Sequence, residues 1–343
     1  MSISVSVIIP AHNAARFIEP CLRAALASAE AHDWEILVVD DGSTDETSRL
    51  AESFGVRTVR HEQSQGAAAA RNHGARISKG DILVFLDSDV VVPEDTLPKL
   101  VNRLRESPEI HATGAHASPR NLSPSWSAHF VALRHSHAFY CQQMHDIVGV
   151  SCFQSECGAV RREAFEGAGG FPEKYSHAGM EDYAFGHEME RLGYVNVLLA
   201  DAAYDHHYRS LWPRCREVMR RSARWLPLVF RRRRFESQGM GASSRDSISF
   251  LISVAILVGI STALFHPIGW YLGGIAAVGQ IVWELPFLRF ARQQYGVKMA
   301  LYAWPALQVF HGAIFVGFAC GALRIVGMMF EPRRSDAKGL ETG

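Results

Sequence analysis

Apolar runs alternate with mixed, helix-patterned stretches four times in the first ninety residues. Ser4–Ile9 is a β-branched run that stops at Pro10-Ala11-His12-Asn13, and Ala14–Ala29 then carries Phe17, Leu22, Ala25 and Leu26 on a helical face with Asn13 placed to cap it. Glu35–Val39 reads as a second strand, stopped by Asp40-Asp41-Gly42-Ser43, with Ser43 or Thr44 opening a helix through Phe54. Val56–Val59, the Ala-rich stretch Gly66–Ser78 and the strand Ile82–Leu86 complete the series. Strands that alternate with helices in this way predict a mostly parallel, doubly wound sheet flanked by helices. In such a sheet the carboxyl ends of the strands open onto a ligand crevice, so both acidic clusters fall on one edge.

Further along, Asn121–His145 predicts a partly buried helix over the sheet, with Trp126, His129, His135, His137 and His145 on several faces at no metal-ligand spacing. A strand follows at Gly158-Ala159-Val160, then a tight turn at Gly169-Gly170-Phe171-Pro172. A helix opens at Gly179-Met180-Glu181-Asp182 and runs through Leu192, and Val195–Leu199 is another strand. The last third changes character. Ser247–Phe265 is uncharged over nineteen residues, Ile268–Phe287 is apolar apart from Gln280 and Glu284, and Met299–Phe330 is uncharged until Arg324. Each is long enough to span a bilayer. Glu284, near the end of its stretch, is expected to reach the interface.

Length and composition sharpen this only in places. A chain of 343 residues holds one large or two ordinary domains. Its formal charge is zero, which removes any whole-molecule argument for nucleic acid, but residues 209–234 carry ten arginines against the single acid Glu217. The six cysteines are scattered without a C-x-x-C pair, which fits a reduced compartment and speaks against structural zinc. No basic region followed by an apolar core opens the chain, so no signal peptide is expected.

The stretch richest in chemistry is Leu83-Val84-Phe85-Leu86-Asp87-Ser88-Asp89, a buried-strand pattern running into two carboxylates one residue apart. With no Lys or Arg in the motif, the two acids repel unless a cation lies between them. Hard divalent ions take such oxygens and keep phosphate oxygens as further partners, which reads as a metal–phosphate site; the alternative is a solvated turn with an Asp capping a helix that starts at Glu94-Asp95. Farther on, His206 and His207 offer imidazoles, His206 the better placed, that suit Mn²⁺ more than Mg²⁺ or that would contact phosphate. No G-x-G-x-x-G follows the first strand and no G-x-x-x-x-G-K-[ST] occurs, which disfavours a dinucleotide oxidoreductase and a P-loop enzyme.

Together, Val7–Asn13, Val39–Asp45, Gly66…Ala70-Arg71-Asn72-His73-Gly74-Ala75 and Leu86–Asp89 resemble glycosyltransferase family 2, in the family's order and spacing. The resemblance covers roughly residues 3–235. It implies an A-type glycosyltransferase fold, a nucleotide-sugar donor (UDP being the family's commonest nucleotide), Mg²⁺ or Mn²⁺, and transfer with inversion. By the same resemblance Pro10, Ala11, Asp40 and Asp41 hold the nucleobase and its sugar, and Arg71 lies near the base or diphosphate. Asp87 and Asp89 bind ribose and metal, with Asp89 the more direct ligand. The run Arg161-Arg162-Glu163-Ala164-Phe165…Gly169-Gly170-Phe171 is similar to the acceptor-side half that precedes the catalytic base. Inverting transfer needs one carboxylate to take the acceptor's proton, so Asp182 becomes the expected general base, with Glu181 orienting the acceptor. Arg221-Ser222-Ala223-Arg224-Trp225 resembles the family's Q-x-x-R-W element, with Arg meeting the diphosphate and Trp lining the acceptor path. Arg221 stands where the family has Gln, which favours single-sugar transfer over processive synthesis.

The arginine-rich helix also suits an anionic lipid surface. Arg231–Arg234 before the first apolar stretch, and Arg289, Arg292 and Lys298 between the second and third, place the catalytic part on the cytoplasmic side. A third full span would put Arg333 and Arg334 outside, so that stretch is alternatively interfacial in part, kinked at Pro305. The expected layout is a catalytic domain at 1–208, a basic interfacial helix and linker at 209–246, apolar segments at 247–330 and a tail at 331–343. The expected activity is transfer of a sugar to a lipid or lipid-linked glycan at a membrane. The rivals are a nucleotidyltransferase, which would want a Gly- and Lys-containing loop after the first strand, and a catalytically silent membrane scaffold.

Overall fold

The computed structural model describes residues 3–30, 32–140, 145–174, 180–232 and 244–330. Its elements run β1 (Val5–Ala11), α1 (Ile18–Glu30), β2 (Glu35–Asp40), α2 (Thr47–Ser53), β3 (Arg57–Arg60), α3 (Ala67–Ile77) and β4 (Ile82–Leu86). Next come β5 (Val90–Val91), α4 (Thr96–Glu106), β6 (Ala112–Asn121), α5 (Trp126–Tyr140), β7 (Ile147–Val148), β8 (Cys157–Arg161) and α6 (Arg162–Gly167). The chain continues with α7 (Glu181–Arg191), β9 (Asn196–His206) and α8 (Leu211–Arg232), and then α9 (Ser244–Ala263), α10 (Ile268–Tyr295) and α11 (Val297–Phe330).

One sheet takes the strands in the order β3-β2-β1-β4-β8-β6-β9-β5, with β7 also on β9. The half formed by β3, β2, β1 and β4 is parallel, as the alternation of elements predicts. The other half is mixed: β8 is antiparallel to both β4 and β6, while β6 is parallel to β9. β1 and β4 are buried along their whole length, which is why they read as continuous apolar runs. Their alternate residues feed two cores. Val7, Ile9, Val84 and Leu86 meet Leu22 of α1 and Leu100, Val101 and Leu104 of α4. Ile8, Leu83 and Phe85 face the other way, where Phe85 meets Phe171 edge-on at 5.1 Å and Phe153 at 6.0 Å. On that face α3 approaches closely enough that a Cβ on Gly74 would lie 2.4 Å from Ile8 Cγ2.

Several local expectations are corrected. Helix α1 starts at Ile18 rather than Ala14, and Asn13, at φ 51°, does not cap it. Its side-chain carbonyl instead accepts the Thr44 N–H at 2.9 Å and so ties the loops after β1 and β2 together. α2 starts at Thr47, with Asp45 rather than Ser43 or Thr44 taking the Thr47 N–H at 3.1 Å. β6 is unforeseen, and Asn121, expected to begin a helix, ends that strand. β9 extends through Ala203–His206, well beyond Leu199. Gly169 and Gly170, at φ 79° and 69°, form the expected turn.

A third core joins the sheet to the apolar helices: Phe130 and Leu133 of α5 pack with Phe287 and Ala291 of α10 and with Ala303 and Leu307 of α11. Arg245–Ala263, Ile268–Tyr295 and Val297–Val326 are long and apolar enough to cross a membrane. α9 and α10 touch through glycines, since a Cβ on Gly259 would sit 2.5 Å from Gly273 Cα. Glu284, expected at the interface, is turned into the helices at 6% exposure. Arg233, Arg234, Gly179 and the tail 331–343 lie outside the described residues.

Because Gly74 faces a filled core, Gly74→Val should destabilise the protein by about 1–3 kcal/mol through overpacking. Chemical denaturation of the detergent-solubilised protein should show this as a lower midpoint, with the mutant of exposed Gly55 to Ala nearer the wild type.

Candidate functional site

The parallel pairing of β2, β1 and β4 brings Pro10-Ala11, Asp40-Asp41 and Asp87 to one edge, with Ala11 opposite Asp40. Pro10 and Ala11 are buried. Asp40 is fully buried and accepts the Ser43 N–H at 2.9 Å and the Ser48 hydroxyl. Asp41 takes four donors: His61 Nδ1 at 2.8 Å, Ser64 Oγ at 2.7 Å, and the N–H groups of Gln65 and Gly66, both at 2.8 Å. Burial works against the charge, yet these donors hold the Asp41 carboxyl below the usual carboxylate range. Both acids therefore shape the edge, and their lone pairs are committed to the protein's own chain. Gly42 is required beside them: at φ 69°, a Cβ there would meet Ser64 N at 2.7 Å.

Arg71 is the hub. It projects from α3, is 4% exposed, and places Nη2 2.6 Å from Asp87 Oδ1 and Nη1 3.4 Å from Glu181 Oε1, with Phe171 beneath the guanidinium at 5.5 Å. Burial disfavours its charge, but Asp87 and Glu181 outweigh that and hold Arg71 protonated. Asp87 is pushed up to about 6, chiefly by burial; Arg71 opposes the rise, and Asp89 and Glu156 add to it. Arg71 Nε and Glu181 Oε2 are both buried without a partner.

Asp182 follows Glu181 at the start of α7. Its side chain accepts the Tyr183 N–H at 2.8 Å. Burial and then the neighbouring Glu181 charge push its pKa up to about 7, while that N–H, Arg221 and Arg71 pull it back. Arg221, from α8, thus faces Asp182 electrostatically and also lies 3.6 Å from Glu217. Arg224 is on the exposed face of α8, and the side chain of Trp225 lies outside the described residues.

Asp89 lies across the pairing of β5 with β9, where Val90 is opposite His206. Its Oδ1 is 3.5 Å from His206 Nε2, and its backbone carbonyl accepts the His207 N–H at 3.0 Å. His206 stacks on Tyr208 at 4.4 Å, whereas His207 turns toward Phe17 at 4.9 Å, with its pKa lowered by burial. Of the two histidines, His206 is the one that meets a carboxylate.

Glu156 carried no signal in the sequence. It precedes β8, accepts the Tyr204 hydroxyl, and its carboxylate is 3.9 Å from His135 Nε2. Burial would raise its pKa, but His135, His206, the Tyr204 hydroxyl and Arg214 hold it at about 2. Its carbonyl also accepts the Asp87 N–H at 2.9 Å, so it is joined to the strand end that carries the Asp pair. His129 and His137 are structural, stacked on Tyr295 at 4.5 Å and against Phe287 at 5.0 Å.

Among the described residues no three His, Cys, Asp or Glu side chains are grouped so as to hold a metal ion alone. Asp89, 36% exposed and beside His206, fits the other arrangement, in which one or two protein ligands share a divalent ion with substrate phosphate oxygens.

Residues 6–168 match the family described as glycosyl transferase family 2. The matched stretch is just under half of the chain. Glycosyltransferase GlyG of Streptococcus pneumoniae is 32% identical over 111 residues, 31% of this chain and 36% of that protein. Glycosyltransferase AglE of Haloferax volcanii is 30% identical over 182 residues, 51% of this chain and 58% of that protein. The match thus spans between about a third and just over half the length of these two relatives. The mannosyltransferase PcManGT of Pyrobaculum calidifontis, solved with GDP-Man and Mn²⁺, superposes with a TM-score of 0.57 at 19% identity, covering 94% of this chain and 88% of that one. The fold is that of the A-type glycosyltransferases.

Replacing Arg71 with Met should strand the Asp87 carboxylate and cost about 3 kcal/mol, the scale of a broken buried pair. Thermal unfolding should show a clear drop, and Arg71→Lys, which keeps one charge but cannot reach both acids, should recover only part of it.

Proposed function

We propose that this glycosyltransferase moves a sugar, with inversion, from a nucleotide-sugar donor to a hydroxyl or phosphate of a lipid or lipid-linked glycan on the cytoplasmic face of a membrane. The observation that carries the reading is the Arg71 bridge, which joins Asp87 to Glu181, the neighbour of Asp182; in this reading Asp87 faces the donor and Glu181-Asp182 the acceptor. Asp182, with a pKa of about 7 and one backbone N–H on its carboxylate, suits a general base that accepts a proton near neutral pH.

In this reading the nucleoside lies along the edge shaped by Pro10, Ala11, Asp40 and Asp41, with Asp87 toward the ribose. Asp89, with His206 rather than His207, would hold Mg²⁺ or Mn²⁺. The bound ion supplies charge stabilisation to the departing diphosphate. Glu181 orients the acceptor, and Asp182 takes the proton from its hydroxyl. The acceptor oxygen then bonds to the anomeric carbon from the face opposite the diphosphate, and the carbon–oxygen bond to the nucleoside diphosphate breaks. Arg221 and Arg224 meet the growing negative charge; the acceptor-path role expected of Trp225 rests on its motif alone.

The lipid acceptor is supported by α10 and α11 sharing a core with α5, which joins the sheet domain to the apolar helices. The cytoplasmic side is supported by the arginines that flank those helices. Residues 1–208 then act as the catalytic domain, 209–246 as the basic interfacial helix and linker, and 247–330 as the membrane region.

Transfer by purified protein in detergent, across a panel of nucleotide sugars with Mn²⁺ or Mg²⁺, tests the reaction. Asp89→Ala should abolish metal-dependent nucleotide binding. Asp182→Asn should still bind donor while losing about 10²–10⁴-fold in kcat. Donor that binds to neither protein nor metal-loaded wild type would overturn the enzymatic reading.

The base works deprotonated, so kcat should climb as pH rises through about 7 and level off above it. In Arg221→Gln, which removes a charge that pulls the Asp182 pKa down, the climb should move to higher pH. A pH–rate profile that is flat between 6 and 8 would dismiss Asp182 as the base.

A further inference from the structure

By length and hydropathy α11 is a third membrane span, but its neighbours describe a different path. α9 starts at Ser244 beside the catalytic domain, where Arg134 of α5 pairs with Asp246, and it leads away from that domain to the turn at 264–267. A helix crossing the bilayer alongside α9 should meet successively later α9 residues as it goes deeper. α11 does not. His311 Nδ1 is 2.8 Å from Ser253 Oγ, and seven residues later Phe318 meets Phe250 edge-on at 5.8 Å. Phe250 also meets His311 at 6.1 Å, so over that stretch, a rise of about 10 Å along α11, the α9 partner does not advance.

The second observation is α8. Cys215 Sγ lies 4.0 Å from the Val309 carbonyl, and a Cβ on Gly317 would meet Met219 O at 2.5 Å and Ser222 Cβ at 2.7 Å. The two helices therefore run side by side in the same direction over at least eight residues of α11, in backbone-close contact. Any depth assigned to α11 is also the depth of α8. Along this contact α8 leaves Arg216, Arg220 and Arg224 exposed, while Arg221 faces Asp182 and Glu217. Exposed guanidinium groups are not held in hydrocarbon, but they are well placed among lipid phosphates. On α11 the buried positions Ala303, Leu307, His311, Gly317 and Gly321 form one stripe, leaving Phe315, Val316, Cys320, Leu323 and Val326 as an exposed apolar face.

We infer that α11 lies in the plane of the leaflet next to the catalytic domain, paired with α8, and that only the α9–α10 hairpin penetrates the bilayer. α11 sinks its apolar face into the headgroup–acyl boundary, and α8 offers its arginines to anionic lipid headgroups. An interfacial helix of this kind sits about 5–10 Å into the boundary, which matches a depth of roughly six residues along α9 at Phe250. The tail then returns to the catalytic side, and Arg333 and Arg334 obey the same charge rule as the other basic clusters. The inference rests on the membrane association proposed above.

Labelling of introduced cysteines separates the two, the native Cys21, Cys152, Cys157 and Cys215 being buried. In a Cys141→Ser, Cys320→Ser background, three proteins carry Glu52→Cys on the catalytic domain, His266→Cys at the hairpin turn or Ser335→Cys in the tail. Each is placed in sealed vesicles with the catalytic domain outward and treated with a membrane-impermeant maleimide. The Glu52→Cys and Ser335→Cys proteins should label without detergent, and the His266→Cys protein only after it. A Ser335→Cys protein protected until detergent is added would mean that α11 crosses, and would overturn the inference while leaving membrane association intact. Labelling of all three without detergent, with the protein released by a carbonate wash, would remove the membrane reading and the inference with it.

Native Cys320 gives an independent depth readout. A bimane on it, in the Cys141→Ser protein, should be quenched more by nitroxides near the headgroup than by those at the bilayer centre. A crossing helix would carry Cys320 about 33 Å past Lys298 to the far leaflet, so with the headgroup nitroxides confined to the outer leaflet their quenching would be lost.

Discussion

A buried guanidinium between two carboxylates from distant parts of the chain is the constraint on which the crevice depends. Arg71 leaves α3, reaches Asp87 at the end of β4 and Glu181 at the start of α7, and so spans 110 residues of sequence through one side chain. Without a fixed cation there, Asp87 and Glu181 could not be brought together in a desolvated place while ionised. What each carboxylate can do follows from how its charge is met. Asp41 has four donors and no capacity left for proton exchange. Glu156 is held at about 2 and is a fixed negative charge. Asp182, with one N–H and a like charge beside it, is poised near 7 and is the acid in the group suited to exchange a proton at neutral pH.

The parallel half of the sheet was legible because its information is local. β1 and β4 are buried on both faces and therefore read as unbroken apolar runs, and the acids that end β2 and β4 follow directly in sequence. The mixed half was not legible, for the opposite reason. β6 reads Ala-Thr-Gly-Ala-His-Ala-Ser-Pro-Arg-Asn, small and polar with no alternation, and it is a strand because β8 and β9 flank it. Gly114 in it has Gln154 where a Cβ would stand, a packing constraint that no propensity records.

The same division holds at the site. Asp87, Asp89, Glu181, Asp182 and Arg71 stand in recognisable local motifs. Glu156 does not: its environment is assembled from His135 on α5, Tyr204 and His206 on β9 and Arg214 on α8. Nothing within ten residues of it in sequence anticipates that set. Asn13 shows how a local rule misleads, since its place before a helix suggests a cap while its αL backbone sends the side chain to Thr44 instead.

Hydropathy fails on α11 in a related way, because it counts apolar residues along a helix and is silent on direction. The contacts of α11 with Phe250, Ser253, Met219 and Ser222 supply that direction. The consequence reaches the chemistry through α8. On one side this helix carries Arg221, whose charge is felt by Asp182; on the other it lies against Gly317. With α11 in the plane of the leaflet, the proposed base is one helix layer from the lipid boundary, about 8–10 Å between helix axes. An acceptor whose reactive oxygen is tethered at a headgroup needs only that distance to enter the crevice, whereas a soluble acceptor would gain nothing from such a placement. Under both proposals the arginines of α8 would have two partners of one chemistry, the diphosphate of the donor and the phosphates of the surface.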